Sequence, residues 1–272
     1  MLPSLLDILY LLLAGAVGGF LSGVFGVGGG IIFIPILDVV LSHYGIETDI
    51  VKFLLANSMT AIVFTGVYNS YKQYKANNYF FSYVLATAIP GVISSLLCTY
   101  FIEQGNWYDK KTFNLVFAAL LVPSIVRMIA KRKHQAEHRE DIPWHTFLPI
   151  GFLTGIFAAF SGLGGGIVMI PAFVNYLKME MKKGVSVSAG VVPFFAIITT
   201  IFYMWQQPSQ AIPLAHVGYV VYPVVLPMIA GVLMTVPLGV RTGHRMNPVL
   251  SKTIFAIMGI LIIIKSIYEN FN

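Results

Sequence analysis

Charged side chains are scarce in this chain: Asp, Glu, Lys and Arg make up 10% of its 272 residues, against 57% hydrophobic. Soluble domains carry about 25% charged residues, so an ordinary water-soluble enzyme is excluded and lipid is the expected solvent. Cysteine is rarer still. With Cys98 alone, a disulfide scaffold, an iron–sulfur centre and a multi-cysteine zinc site are excluded, and neither metal nor cofactor is expected. Also lacking is a cationic stretch before the first apolar run. Met1-Leu2-Pro3-Ser4-Leu5-Leu6-Asp7 offers no signal-peptide n-region, so that run is expected to stay in the protein. The net charge of +6 reads as loops facing anionic headgroups, which makes the bilayer a partner and nucleic acid not one.

What is present is a series of uncharged apolar runs. A helix needs about 20 apolar residues to cross a bilayer, and such runs occupy 8–37, 53–71, 80–102, 112–126, 146–177, 184–215, 217–240 and 253–264. The most charged connection, 131–141, marks the midpoint. On either side of it the sequence repeats itself. Gly15, Gly19, Gly26, Gly28, Gly29, Gly30 and Pro35 reappear, each 136 positions later, as Gly151, Gly155, Gly162, Gly164, Gly165, Gly166 and Pro171. Residues in such register point to an internal duplication. The likeness weakens downstream, where Lys52 to Ser58 aligns with Lys183 to Ala189 only after a five-residue gap.

Each glycine run breaks its apolar stretch. The piece that follows, about 17–20 Å as a helix, is too short to span. The expected fold is therefore an all-α polytopic membrane protein of two inverted repeats, each a broken, re-entrant helical hairpin plus three transmembrane helices. Residues 1–130 form the first repeat, 131–143 a cytoplasmic linker and 144–272 the second. Inversion collects thirteen cations on one side (Lys72, Lys75, Arg127, Lys131, Arg132, Lys133, Arg139, Lys178, Lys182, Lys183, Arg241, Arg245, Lys252) and leaves Lys52, Lys110, Lys111 and Lys265 on the other. Parallel halves would split them nine to eight. The positive-inside rule selects inversion, with both termini and the loops 42–49 and 206–215 outside the cytoplasm. Gly15, Gly19 and Gly23, like Gly151, Gly155 and Ala159, recur every four residues and read as close helix packing. Pro90, Pro123, Pro193, Pro223, Pro227 and Pro237 are expected to kink spans.

A non-helical turn within a bilayer leaves amides without partners, at several kcal/mol each unless something accepts from them. Gly26, Gly28, Gly29 and Gly30, and again Gly162, Gly164, Gly165 and Gly166, run directly into a helix start. A helix start adds first-turn N–H groups and about half a positive charge. Two such starts brought together suit a small anion. Asn57, Ser58 and Thr60, with Ser186 and Ser188, place hydroxyls and amides in uncharged segments and are candidate lining; Ser22 and Ser161 flank the turns. The pocket is expected to be neutral. The alternative for the glycines is a tight crossing without a ligand, and for the polar residues interhelical hydrogen bonds.

The doubled pattern Gly19-x3-Gly23-x2-Gly26-x-Gly28-Gly29-Gly30-x4-Pro35 and Gly155-x6-Gly162-x-Gly164-Gly165-Gly166-x4-Pro171 resembles the TauE/SafE family of sulfite and organosulfonate exporters. The small-residue stretch from Gly231 to Arg241 is similar to that family's segment ending in arginine. The resemblance implies an inner-membrane carrier exporting sulfite or an organosulfonate; physics alone would not choose sulfur over carboxylate or phosphate. A homodimer stays open. The other readings are an anion channel using the same site, and an exporter of a non-sulfur anion.

Other residues read more plainly. Asp38 lies about 12 Å beyond Gly30 and is expected near the outer interface. Arg241 either attracts substrate at the cytoplasmic mouth or snorkels to headgroups. His134 and His138 lack a third ligand and read as linker. Tyr68, Tyr71, Tyr74, Tyr79, Trp107, Tyr108 and Trp144 suit an aromatic belt. Ser161 with His216 faintly resembles a serine protease pair, but no catalysis is expected.

Overall fold

The computed structural model describes residues 3–105, 107–113, 115, 116, 119, 122, 142–209, 212–247, 250, 253, 254, 257 and 260. Most of the spans expected at 112–126 and 253–264, most of the 131–143 linker, His134, His138, Pro123 and the cations at 127–139, 252 and 265 lie outside these residues.

The helices are α1 Leu5–Phe25, α2 Gly30–His43, α3 Ile50–Lys75, α4 Phe81–Gln104, α5 Phe147–Ser161, α6 Gly166–Asn175, α7 Met181–Trp205 and α8 Tyr222–Arg245. A 3-10 turn, Trp144–Thr146, leads into α5. The hairpin β1 His216–Val217 and β2 Val220–Val221 precedes α8. Helices α1, α3, α4, α7 and α8, and α5 with its 3-10 turn, are long and apolar enough to cross a membrane. The chain is an all-α, multi-pass membrane protein, as its composition predicts.

Two helices form the centre. Helices α3 and α7 cross antiparallel, Thr60 facing Thr200 at 3.5 Å and the Ser70 hydroxyl donating to the Ala189 carbonyl at 2.8 Å. Around them α1 packs on α8 and α4 on α5, and glycines allow the approach. A side chain at Gly15 would run into the Met228 carbonyl, one at Gly151 into the Thr87 carbonyl and one at Gly155 into that of Gly91. Leu9, Leu13 and Val17 of α1 and Ile89, Ile93 and Leu97 of α4 turn outwards, apolar stripes that only lipid suits. Within the bundle, hydroxyls satisfy themselves on the preceding turn: Thr60 on Ala56, Thr65 on Ala61, Thr99 on Ser95. Pro90, Pro193, Pro227 and Pro237 lie inside helices, while Pro223 sits in the first turn of α8, where its missing amide costs nothing.

Both broken helices fold back as hairpins. The Ser4 hydroxyl caps α1 by accepting the Asp7 amide at 3.1 Å, and Tyr44, just past α2, donates its hydroxyl to Asp7 at 2.6 Å. The start of α1 and the end of α2 therefore share one end of the bundle. In the second half, Phe147 at the start of α5 packs on Phe173 of α6, ring centroids 5.6 Å apart. Helix α1 has 21 residues and α2 has 14. At 1.5 Å per residue the first arm is about 31 Å long and the second about 21 Å.

Candidate functional site: two glycine turns and the ends of the bundle

The two turns have the same backbone. Gly26, Gly28 and Gly29 have φ of 68°, 91° and 90°, and Gly162, Gly164 and Gly165 have 64°, 74° and 77°. An L side chain at such angles costs roughly 1–2 kcal/mol per residue, so glycine is required at each. Part of the donor set is used internally. The Gly26 amide donates to the Ser22 carbonyl at 2.7 Å, Gly28 to the Ser22 hydroxyl at 3.1 Å, and Leu163 to the Ser161 hydroxyl at 3.3 Å. Among the described residues, the amides of Gly29, Gly30 and Ile31, and of Gly164, Gly165, Gly166 and Ile167, have no acceptor. Those of Gly30 and Ile31, and of Gly166 and Ile167, are the first N–H groups of α2 and α6, the others belong to the turns just before them, and the helix dipole adds to the set.

The turns lie back to back. A Cβ on Gly30 would sit 2.8 Å from the Gly162 carbonyl, and one on Gly166 2.7 Å from that of Gly26. Each of these carbonyls is held by the central helix of one half: Ser58 of α3 donates to Gly162 at 2.8 Å, and Ser188 of α7 donates to Gly26 at 2.9 Å. Ile62 and Val192 close over Gly28 and Gly164 together. The counterpart of Ser58 is thus Ser188, and not Ala189 as the gapped alignment has it. The alignment slips by one residue because Lys182 and Lys183 are adjacent and either one matches Lys52. Gly29 and Gly165 face inward along their own hairpins, where a Cβ would lie 2.8 Å from the Gly18 carbonyl and 3.0 Å from that of Thr154.

The remaining predicted lining residues sit elsewhere. Asn57 donates to the carbonyls of Phe53 at 2.7 Å and Tyr219 at 2.9 Å, and accepts the Val221 amide at 2.8 Å, so it pins the β-hairpin to α3. Ser186 does the matching work in the other half by donating to the Asn78 carbonyl. Ser161 donates to Phe157, and His216 Nδ1 lies 2.9 Å from the Gly218 carbonyl, so those two do not meet. Sequence reasoning misses Asn69, whose amide donates to the Ser22 carbonyl at 2.7 Å beneath the first turn. Its only signal is a polar residue in an apolar run.

Both ends of the central pair carry polar clusters. At the α3 start, Lys52 lies 3.4 Å from Asp49 and 3.5 Å from Glu103, and all three side chains are largely buried. Burial alone would raise the Asp49 pKa, but Ser209 and Lys52 together outweigh it and hold the carboxyl below its ordinary value. Tyr219 covers this cluster, the Lys52 ammonium 5.6 Å from its ring, and burial pushes its phenol up. Asp38, buried near the same end, binds Lys110 at 2.8 Å. Tyr108 departs from the expected aromatic belt: it is buried and donates to the Phe160 carbonyl at 2.6 Å. At the α3 end, buried Gln73 lies 3.2 Å from Asn78 Nδ2 and 3.0 Å from His244 Nε2. There a narrow cleft opens beside Lys182 and reaches Gly23 and Val24, just before the first turn.

The family model described as sulfite exporter TauE/SafE matches residues 11–266. A probable membrane transporter protein of Methanocaldococcus jannaschii is 27% identical over 260 residues, covering 93% of this chain and 94% of the relative. Another, of Haemophilus influenzae, is 28% identical over 265 residues, covering 94% and 97%. The probable membrane transporter protein YunE of Bacillus subtilis is 23% identical, covering 95% and 97%. No solved structure matches. Paired glycine turns and whole-length similarity lead to one conclusion: this chain belongs to the TauE/SafE family.

Proposed function

We propose that the chain exports a small anion, sulfite or an organosulfonate, across the cell membrane by alternating access, holding it at the amides of the two glycine turns. The observation that carries this reading is the pair of helix starts, α2 and α6, whose unaccepted amides lie back to back at the centre of the bundle. Family membership and the transporter names of the relatives support a membrane transporter; sulfur chemistry comes from the family description. The surroundings favour an anion over a cation. Ile62, Val192 and Leu55 exclude water, and in such a medium donors act at short range with little screening.

The inverted arrangement is supported by where the hairpins open. The first closes beside Tyr44, at the Lys52 end, while Phe147 packs on Phe173 and stacks on Tyr83 near the start of α4, at the other end. The cations Lys72, Lys75, Lys178, Lys182, Lys183, Arg241 and Arg245 belong to that other end, which the positive-inside rule assigns to the cytoplasm. Loading requires the turns to part, because Gly30 and Gly166 touch the opposite carbonyls. Ser58 and Ser188 then exchange those carbonyls for the anion. Rocking of one half against the other exposes the site to either side. A membrane potential, inside negative, drives a monoanion outward by about 2.3 kcal/mol per 100 mV, so no coupled ion is needed.

The test is sulfite flux in proteoliposomes. Saturable flux with counterflow, and thermal stabilisation by sulfite or sulfoacetate over carboxylates, is expected. Single-channel currents would replace the carrier by a channel. Flux of carboxylates alone would remove the sulfur substrate.

A further inference from the structure

The contacts that pair Ser58 with Ser188 and Ile62 with Val192 relate α3 to α7 at a spacing of 130, and those that pair Thr87 with Met228 relate α4 to α8 at a spacing of 141. Carried to the ends, the first spacing sets Lys52 opposite Lys182 and Tyr203 opposite Gln73; the second sets Glu103 opposite His244. At these equivalent positions each end carries a lysine, Lys52 with Glu103 of α4 and Lys182 with His244 of α8. The chemistry differs. Glu103 and Asp49 neutralise Lys52, and that end is buried under Tyr219. His244 replaces the carboxylate at the other end, and among the described residues no carboxylate lies within ion-pair distance of Lys182. Lys183 does not compete for the cleft, since its ammonium lies over the rings of Phe80 and Tyr83 at 4.8 and 4.9 Å.

We infer that the cleft beside Gln73, Asn78, Lys182 and His244 is an intake subsite, where Lys182 captures the anion before it reaches the glycine turns. The subsite rests on the transport reading above and adds to it a place of capture with a fixed charge, ahead of the pocket that the sequence suggests is neutral and apart from Arg241, the one charge the sequence offers at the cytoplasmic mouth. Gln73 is tied to both Asn78 and His244, so it fixes their positions. The Asn78 amide donates to Gln73 Oε1 at 3.2 Å and to the Lys182 carbonyl at 3.5 Å, so it holds the start of α7 against the cleft and leaves the Lys182 ammonium as the group that meets the anion. The floor of the cleft is Gly23, Val24 and Val185, and the Val185 carbonyl packs on Gly26 of the first turn. A captured anion therefore stands directly below the turn it will occupy. Histidine matters here for what it is not: a carboxylate at 244 would neutralise Lys182 as Glu103 neutralises Lys52.

Uptake of radiolabelled sulfite into inside-out membrane vesicles tests this. Lys182→Gln is expected to raise KM by about fivefold with kcat unchanged, as loss of one partly exposed ion contact should, and Lys182→Arg to restore it. His244→Glu is expected to raise KM as much as Lys182→Gln, while His244→Gln leaves it within about twofold; a merely structural histidine would make the two substitutions alike. Lys75→Gln, an exposed lysine at the same end, controls for general surface charge. Equal melting temperatures of the ligand-free variants show that they fold. Unchanged KM in Lys182→Gln, or equal effects of His244→Gln and His244→Glu, would overturn the subsite while leaving the glycine-turn reading standing. Absence of saturable sulfite uptake by the wild type would overturn both.

Discussion

The two glycine turns are built alike, and the two ends of the bundle are not. At the turns, six positive-φ glycines, two helix starts and the hydroxyls of Ser58 and Ser188 repeat with nearly the same geometry. At the ends, the same helical scaffold carries a closed Lys52–Glu103 pair on one side and an open, cationic cleft on the other. On the proposed reading, the matched turns supply a symmetric place to hold an anion, and divergence at single positions would give the path a direction. Charge is where the halves differ because the ends, near water and headgroups, tolerate it, whereas the buried turns do not.

Several substitutions would break or sharpen that contrast. Gly30→Val and Gly166→Val should have the largest effect, reducing sulfite flux to background in each case, since either side chain lands on the opposite turn's carbonyl. Equal loss in both, with the protein still in the membrane, would confirm that the turns act as one unit. Gly29→Val and Gly165→Val should instead lower the melting temperature, because their Cβ atoms strike their own hairpins. Asn57→Ala removes three buried hydrogen bonds at one end only. It should destabilise the protein by about 2–5 kcal/mol, measured by thermal unfolding in detergent; Ser186→Ala, with one such bond to lose, should cost about 1–2 kcal/mol.

Glu103→Gln removes one of the two carboxylates paired with buried Lys52, leaving Asp49, and should cost about 1–3 kcal/mol. Its sharper readout is access: a cysteine placed at Tyr219 should react faster with an impermeant maleimide in that background. Ser58→Ala and Ser188→Ala should each cost about 1 kcal/mol and match within measurement error. A large difference between them would mean that the turns are not equivalent.

The smallest effect concerns Asp49. Its carboxyl titrates below its ordinary value of 3.8 in the folded protein, so its stabilising contribution is complete above that value. It is lost as pH falls through the lower, folded pKa. Asp49→Asn should therefore lower stability at neutral pH, where that contribution is complete, leave it unchanged below the folded pKa, and so flatten the acid limb of the stability profile.

Much of this architecture is legible in the amino acids. Glycine patterns carry across a duplication because neither a positive φ nor a neighbouring carbonyl packed against the bare α-carbon admits a substitute. The turns, the hairpins and the close-packing faces of α1 and α5 can therefore be read directly, though not that α8 and α4 are the helices they meet. Side-chain roles are less legible. Asn57 and Ser186 look like lining because polar atoms in an apolar run need partners, but nothing in a sequence says whether that partner is a ligand or the carbonyls of Tyr219 and Asn78. The ends are not legible at all. Glu103 meets Lys52, and His244 meets Gln73, only because α4 and α8 return alongside the centre, and such long-range pairings leave no local pattern.

The central claim, that the twin turns hold a small oxyanion, is tested most directly by diffraction from crystals grown with selenite, a sulfite analogue with an anomalous signal. An anomalous peak within hydrogen-bond distance of the amides of Gly29, Gly30 and Ile31 or of Gly165, Gly166 and Ile167 is expected. A transport-competent protein whose selenite peak lies away from both turns would contradict it.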